Sequence, residues 1–236
     1  MKMVFFADTH LTRKNKKKLK LVETFIGDVC SDADMVFVLG DLFEFYHGYE
    51  GYIYPWYRPI VDAFKAITEK GKSVYFLEGN HEFDMGPFFE TYTGIQCVKN
   101  LTIDVEGKRT FIAHGDEFYL NPVTRALKTP FTIGAMDLFG AKLSWKIAMG
   151  VSRIMSKKKK GQNPKVKDVF REYAKEKLKE GYDAVILAHT HIADYMEFGA
   201  GMTKKVYLNT GDFMRKSTYI EYTSDAGFHL KEYKPA

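Results

Sequence analysis

Two positions apart, Asp8 and His10 close the segment "MVFFADTH", in which Met3 to Ala7 are all apolar. Residues two apart on an extended chain point to the same side, so this carboxylate and imidazole can hold one cation together. The arrangement recurs four more times. The run "VLGDLFEF" carries Asp41, "FLEGNHEF" carries Asn80 and His81, "FIAHGDEF" carries His114, and "ILAHTH" carries His189 and His191. Five of the seven histidines thus follow short apolar runs. In an open α/β sheet, groups at the carboxyl ends of strands converge on one crevice. Collecting Asp, Asn and His there without a shared partner is costly, and a pair of divalent cations is that partner. Two ions about 4 Å apart clamp an anionic phosphoryl group and activate a shared water. No covalent nucleophile is required. Mixed nitrogen and oxygen ligands favour manganese, iron or zinc over magnesium or calcium. Gly40, Gly79 and Gly115 allow tight turns through which backbone approaches a ligand.

The surrounding pattern supplies the strands. "MVFFA", "MVFVLG" (35–40), "SVYFLEGN" (73–80) and "YDAVILAHTH" read as buried strands. Apolar spacing predicts helices over Leu19 to Val29 and Ile60 to Lys70, and Asn163-Pro164 starts a third that runs to about Lys179. "LTIDVEGKRTFIAHGD" reads as a hairpin turning at Gly107-Lys108. "KKVYLNTGDF", "STYIEYTS" and "GFHLKEY" read as closing strands of a meander, with a turn at Asp225 to Gly227. Strands alternating with helices argue for an α/β layered sandwich. The 236 residues suit a single domain, 1–236, without internal repeat or linker.

Thr129 to Met155 does not fit that alternation. On a helical wheel Met136, Phe139, Leu143, Ile147, Val151 and Ile154 share one face, and Leu138, Trp145 and Met149 fall nearly opposite. Lys142, Lys146 and Arg153 lie between. Gly134, Gly140 and Gly150 predict two shorter helices rather than one rigid rod. Two apolar faces separated by cations suggest that one docks on the domain. The other then meets acyl chains, a membrane surface or a partner.

Apolar residues make up 45% and charged residues 28% of the chain, enough to bury a core. Two cysteines, Cys30 and Cys97, cannot make a disulfide framework, and a reducing compartment is expected. The apolar run before Asp8 is too short for a signal peptide, and no stretch suits a transmembrane helix. The net charge of +5 is concentrated at Arg13 to Lys20 and Lys157 to Lys167. Such runs are solvated faces, or they meet anionic lipid, a polyanionic substrate or nucleic acid.

The motifs "ADTH", "GDLFEF", "GNHEF", "AHGD" and "AHTH" resemble those of the calcineurin-like metallophosphoesterases, and the resemblance spans almost the whole chain. It implies an αββα sandwich with a helical lid insertion over 121–160. It further implies one metal held by Asp8, His10, Asp41 and His191. A second would be held by Asn80, His114 and His189, with Asp41 bridging. His81 would stand beside the phosphate as hydrogen-bond donor or general acid, and the ions are expected to be manganese. Within that superfamily the chain is similar to the UDP-2,3-diacylglucosamine hydrolases of lipid A synthesis. That branch implies an acylated UDP-sugar as substrate, hydrolysed to UMP and 2,3-diacylglucosamine 1-phosphate. It also implies a cytoplasmic enzyme peripheral to the inner face of the membrane, with no nucleic-acid partner. Leu138, Lys142, Trp145, Lys146, Met149 and Arg153, with Lys157 to Lys160, are the candidate substrate contacts. The chain departs from that branch at His81, where Arg is usual, and at "HTHIA", where "HTHRP" is usual. The competing expectations are a phosphodiesterase or phosphomonoesterase acting on soluble nucleotides or phosphoproteins, a nuclease, and a non-catalytic binding module on the same fold.

Overall fold

The computed structural model describes residues 1–119, 128–158, 165–199, 201 and 204–235, with the side chains of 153–158 left out. The Asn163-Pro164 helix start, the side chains of Arg153, Ile154, Lys157 and Lys158, and all of Lys159 and Lys160 lie outside the described residues.

Two sheets stack face to face. The first has six strands in the order β11-β10-β1-β2-β3-β4 and the second five in the order β5-β6-β7-β9-β8. In chain order they are β1 (Lys2–Phe6), β2 (Met35–Val38), β3 (Ser73–Leu77), β4 (Gln96–Val98), β5 (Asn100–Val105), β6 (Lys108–Ala113), β7 (Ala184–Leu187), β8 (Asp194–Phe198), β9 (Lys205–Asn209), β10 (Thr218–Thr223) and β11 (Gly227–Glu232). The helices are α1 (Lys16–Phe25), α2 (Arg58–Thr68), α3 (Gly86–Thr93), α4 (Pro130–Lys158) and α5 (Lys165–Lys179).

From Met3 to Phe6 strand β1 is apolar because both of its faces are covered there. Met3 and Phe5 point between the sheets and meet Ile112, Ile186 and Leu208. Val4 and Phe6 point outward to Val22 and Phe25 of α1 and Phe64 of α2. On the far side, Val185 and Leu187 of β7 pack against Phe170, Ala174 and Leu178 of α5. The result is the expected αββα layering.

Several boundaries differ from the sequence expectation. Asn15 accepts the Lys18 N–H at 3.1 Å and starts α1 earlier than expected, and a π-helical turn, Ile26–Cys30, ends that unit. The hairpin turns on Glu106-Gly107, both at positive φ, rather than on Gly107-Lys108. The closing strands do not form one meander. Strand β9 pairs parallel to β7 in the second sheet, whereas β10 crosses over and pairs antiparallel to β1 in the first. The crossover places Ile220 and Tyr222 between the sheets and Tyr219 on the outer face. The elements α3, β4 and β8 were not expected.

Helix α4 is two helices joined at Gly140, which sits at φ 71°, ψ 166°. It docks on the aromatic loop 46–57. Trp145 packs on Trp56 with ring centroids 4.8 Å apart, buried His47 meets Asp137 at 2.8 Å, and the Tyr49 hydroxyl donates to the Met136 carbonyl at 3.2 Å. No described helix is long and apolar enough to cross a membrane.

Candidate metal centre and active site

Parallel strands of both sheets deliver their carboxyl ends to one edge, and the chain then turns sharply. Asp8, His10, Asp41, His189 and His191 all have positive φ, between 44° and 66°. Residues bearing a Cβ rarely adopt that region, and each such position costs on the order of 1–3 kcal/mol. The turns are held by cross-loop bonds. Asp8 N–H donates to the Gly40 carbonyl at 3.1 Å and His10 N–H to the Asp41 carbonyl at 3.0 Å. The buried Glu82 carboxylate accepts the N–H groups of Asp41, Gly79 and Phe43 at 2.9, 3.0 and 3.2 Å. Two glycines are required where these loops touch. A Cβ on Gly40 would lie 2.5 Å from the Gly79 nitrogen, and one on Gly79 would lie 2.4 Å from Asp41 Oδ1.

The side chains form two groups about Asp41. In one, Asp8 Oδ1 lies 3.8 Å from His10 Nε2 and 3.7 Å from His191 Nε2. In the other, His114 Nε2 lies 3.6 Å from Asp41 Oδ2 and 3.1 Å from His189 Nδ1. Asp41 Oδ2 is also 3.7 Å from His10 Nε2, which joins the groups. Contacts of 3.6–3.8 Å are too long for hydrogen bonds. They suit atoms sharing one ion, since ligands about 2.1 Å from a metal stand no more than about 4.2 Å apart.

The donor set passes the same test in its hydrogen bonding. Asp8 Oδ1, both ring nitrogens of His10 and Asn80 Oδ1 are buried without a hydrogen-bond partner, which native proteins avoid unless something else satisfies the atom. Other atoms of the site are occupied. Asp8 Oδ2 accepts the His189 N–H at 3.0 Å, Asp41 Oδ1 accepts the His81 N–H at 2.9 Å, and His114 Nδ1 meets the Leu39 carbonyl at 2.6 Å. The last contact makes Nδ1 the protonated nitrogen and leaves the Nε2 lone pair facing Asp41.

Electrostatics agree. Burial pushes the Asp41 carboxyl up, but His81, His114, His10 and His189 outweigh it and hold the group well below its ordinary value. Burial, then the Asp41 charge, pushes Asp8 up. Burial lowers His10 despite Glu44, which favours the neutral imidazole that binds metals. For His81, burial pulls down but Asp41 and Glu44 prevail and raise it. Burial and Asp41 push Glu82 up to about 8, against its backbone N–H bonds.

The structure thus brings Asp8, His10, Asp41, His114, His189 and His191 together, with Asn80 and His81 at the mouth of an apolar cavity. That cavity holds about 190 Å³ and opens to solvent. Its walls are Phe45, Phe83, Met136, Phe139, Ile147 and Val151, and Glu44, Asn80, His81 and Ser152 line its polar end. The two faces of α4 are therefore the reverse of the expected assignment. Trp145 and Met149 pack on the core, because Trp56 and its loop offer the aromatic surface they need. Leu138, 84% exposed, touches neither core nor cavity lining, and Lys142 and Lys146 are exposed. Two residues were missed. Glu44 lies 3.4 Å from His10 Nδ1, and Glu82 staples the loops. Both stand inside the motifs "GDLFEF" and "GNHEF", whose glutamates were the available signal.

The fold and this site define a phosphoesterase: the chain belongs to the calcineurin-like phosphoesterase family, whose profile matches residues 1–193. It is a hydrolase of that class. Among its relatives are UDP-2,3-diacylglucosamine hydrolases. That of Vibrio parahaemolyticus is 28% identical over 238 residues, covering 98% of both chains. That of Aliivibrio fischeri is 27% identical over 242 residues, covering 99% of this chain and all of the relative. That of Aeromonas salmonicida is 34% identical over 117 residues, about half of each chain. Among solved structures, an archaeal phosphodiesterase matches with a TM-score of 0.50 at 14% identity over 99% of this chain and 100% of its own, a likeness of fold alone.

Proposed function

We propose that the protein is a dinuclear-metal hydrolase that cleaves the diphosphate of UDP-2,3-diacylglucosamine, releasing UMP and 2,3-diacylglucosamine 1-phosphate. One observation carries the reading: the two ligand groups sharing Asp41 lie beside His81 and Asn80, which open into a cavity with apolar walls. Asp8, His10, Asp41 and His191 would hold one ion. Asn80, His114 and His189 would hold the other with Asp41, and manganese suits the mixed donors. Bound there, the ions supply charge for the phosphoryl oxygens and lower the pKa of an attacking water.

The chain's own residues do the rest. His81 is aimed by its Nδ1, which meets the Glu44 carbonyl at 2.7 Å, leaving Nε2 for an oxygen of the diphosphate. Water oxygen adds to the α-phosphorus, and the bond to the bridging oxygen breaks. That oxygen leaves with the sugar phosphate, with His81 as its proton donor or hydrogen-bond partner. Met136, Phe139, Ile147 and Val151 would receive acyl chains, each buried methylene contributing roughly 0.8 kcal/mol. The described part of the insertion, α4, then acts as a lid. Its exposed residues Phe131, Leu138 and Leu143, beside Lys142 and Lys146, suit an anionic inner leaflet, placing the enzyme in the cytoplasm at the membrane surface.

The test is UMP release from UDP-2,3-diacylglucosamine by manganese-loaded protein, set beside hydrolysis of a small chromogenic phosphodiester. Phe139 and Ile147 are each about half exposed, so replacing them together with Ser removes about 0.8–1.5 kcal/mol of apolar contact with the substrate per side chain. It should lower kcat/KM on the acylated substrate at least tenfold and spare the small ester. Hydrolysis of the small ester without UMP release favours a soluble phosphodiesterase. Failure on both favours a binding module.

A further inference from the structure

We propose that Glu44 is a positioning residue that joins the seating of α4 to the metal ligand His10, an inference that rests on the metal reading above. Glu44 follows the bridging candidate Asp41 by three residues and reaches three different parts of the site. Its Oε2 stands 3.4 Å from His10 Nδ1. Its Oε1 accepts the hydroxyl proton of Ser152, in the second half of α4. Its backbone carbonyl meets His81 Nδ1 at 2.7 Å. The side chain is 15% exposed, so these are contacts within the site rather than a solvated surface pair.

The consequences follow from imidazole chemistry. The Glu44 carboxylate faces Nδ1 at ion-pair distance without a hydrogen bond, and its negative charge favours the proton on that nitrogen, leaving the Nε2 lone pair directed at Asp8 Oδ1 and Asp41 Oδ2, 3.8 and 3.7 Å away. Carboxylates that orient a ligating histidine in this way typically account for 10–100-fold in metal affinity. Here the orienting carboxylate has its second oxygen tied to a helix that also walls the apolar cavity. When α4 is seated, Ser152 holds Glu44 and Glu44 holds His10. When α4 lifts, Glu44 loses that anchor and His10 loses its fixed tautomer. Linkage makes the relation reciprocal: an ion bound at His10 must favour the seated helix by as much as the seated helix favours the ion.

The experiment measures manganese affinity and amide hydrogen exchange of residues 141–152, with and without manganese, in wild type, Glu44→Gln and Ser152→Ala. In wild type, manganese is expected to slow exchange in that segment. Glu44→Gln should weaken the affinity at one of two sites by 10–100-fold and abolish the manganese-dependent protection. Ser152→Ala should abolish the protection with a smaller loss of affinity, and it carries the test if Glu44→Gln fails to fold. Unchanged amide protection in α1 and α2 establishes that a variant is folded. Unaltered affinity in folded Glu44→Gln, or persistent manganese-dependent protection in either folded variant, overturns the coupling. Wild type that takes up no ion instead overturns the metal reading beneath it.

Discussion

Gly79→Ala is the sharpest test of how the loops build the site. The added Cβ would lie 2.4 Å from Asp41 Oδ1, 2.7 Å from the Asp41 nitrogen and 3.0 Å from His114 Cε1. None of these atoms can yield alone. Asp41 Oδ1 is held by the His81 N–H at 2.9 Å, the Asp41 N–H is bonded to Glu82 at 2.9 Å, and His114 Nδ1 is bonded to Leu39 at 2.6 Å. Reaching an ordinary 3.4 Å contact with Asp41 Oδ1, the closest of the three, therefore displaces one loop against the other by about 1.0 Å, the difference between 3.4 and 2.4 Å. Overpacking of this kind costs roughly 1–3 kcal/mol. At about 2–4 °C per kcal/mol in a chain this long, Tm falls by roughly 2–12 °C. Because a shift approaching 1 Å at reacting groups costs on the order of 100-fold, kcat/KM on a small phosphodiester should fall by about that factor. Gly27→Ala is the control, since its Cβ meets nothing within 4 Å and Ala is the better helix former. Thermal unfolding and steady-state kinetics of both variants decide the matter. A Gly79→Ala protein with wild-type Tm and turnover within twofold of wild type refutes the proposed loop contact.

Manganese at 100 times its dissociation constant should stabilise the fold by about 2.7 kcal/mol, raising Tm by roughly 5–10 °C. A chelator should reverse the rise and Asp41→Asn should erase it; differential scanning calorimetry showing no manganese-dependent shift in wild type contradicts the metal reading. Asp194 tests an ion cluster away from the metal groups. Burial pushes its carboxyl up, but Arg171 at 2.7 Å and Lys167 at 2.9 Å outweigh that and hold it below its ordinary value. A folded-state value below the unfolded one means the carboxylate's contribution is full above the ordinary carboxylate range and disappears as pH falls through and below it. Asp194→Asn should therefore cost roughly 1–2 kcal/mol at pH 7, discounted for the partly exposed cations. The gap from wild type should close between about pH 4 and pH 2 in urea titrations, and a gap independent of pH contradicts the assignment.

Much of the fold was legible because its signals are local. An apolar run followed by Asp, Asn or His marks a strand and what it delivers, and parallel strands must deliver to one edge. That reasoning placed Asp8, Asp41, Asn80, His114 and His189 at the ends of β1, β2, β3, β6 and β7. It also anticipated two helices rather than one rod in α4, with Gly134, Gly140 and Gly150 as weak points; the structure puts the break at Gly140. Short elements such as β4, with three residues, carry too little pattern to announce themselves.

Other features belonged to the tertiary structure alone. A helical wheel with two apolar faces is symmetric to a reader of sequence. Trp56 and the loop 46–57 decide which face docks, and they take Trp145 and Met149, turning Phe139 and Ile147 toward the cavity. For Glu82 the sequence offers only its place in "GNHEF"; its role appears when the N–H groups of Asp41, Phe43 and Gly79 converge on it. The crossover that sends β10 to β1 rather than β9 depends on which strand edge is open after both sheets have formed. The sequence by itself determined the types of ligand and the strands that carry them, because those are properties of neighbouring residues. The structure decided orientation, partnership and strain, because these depend on groups far apart in the chain that meet only once it has folded.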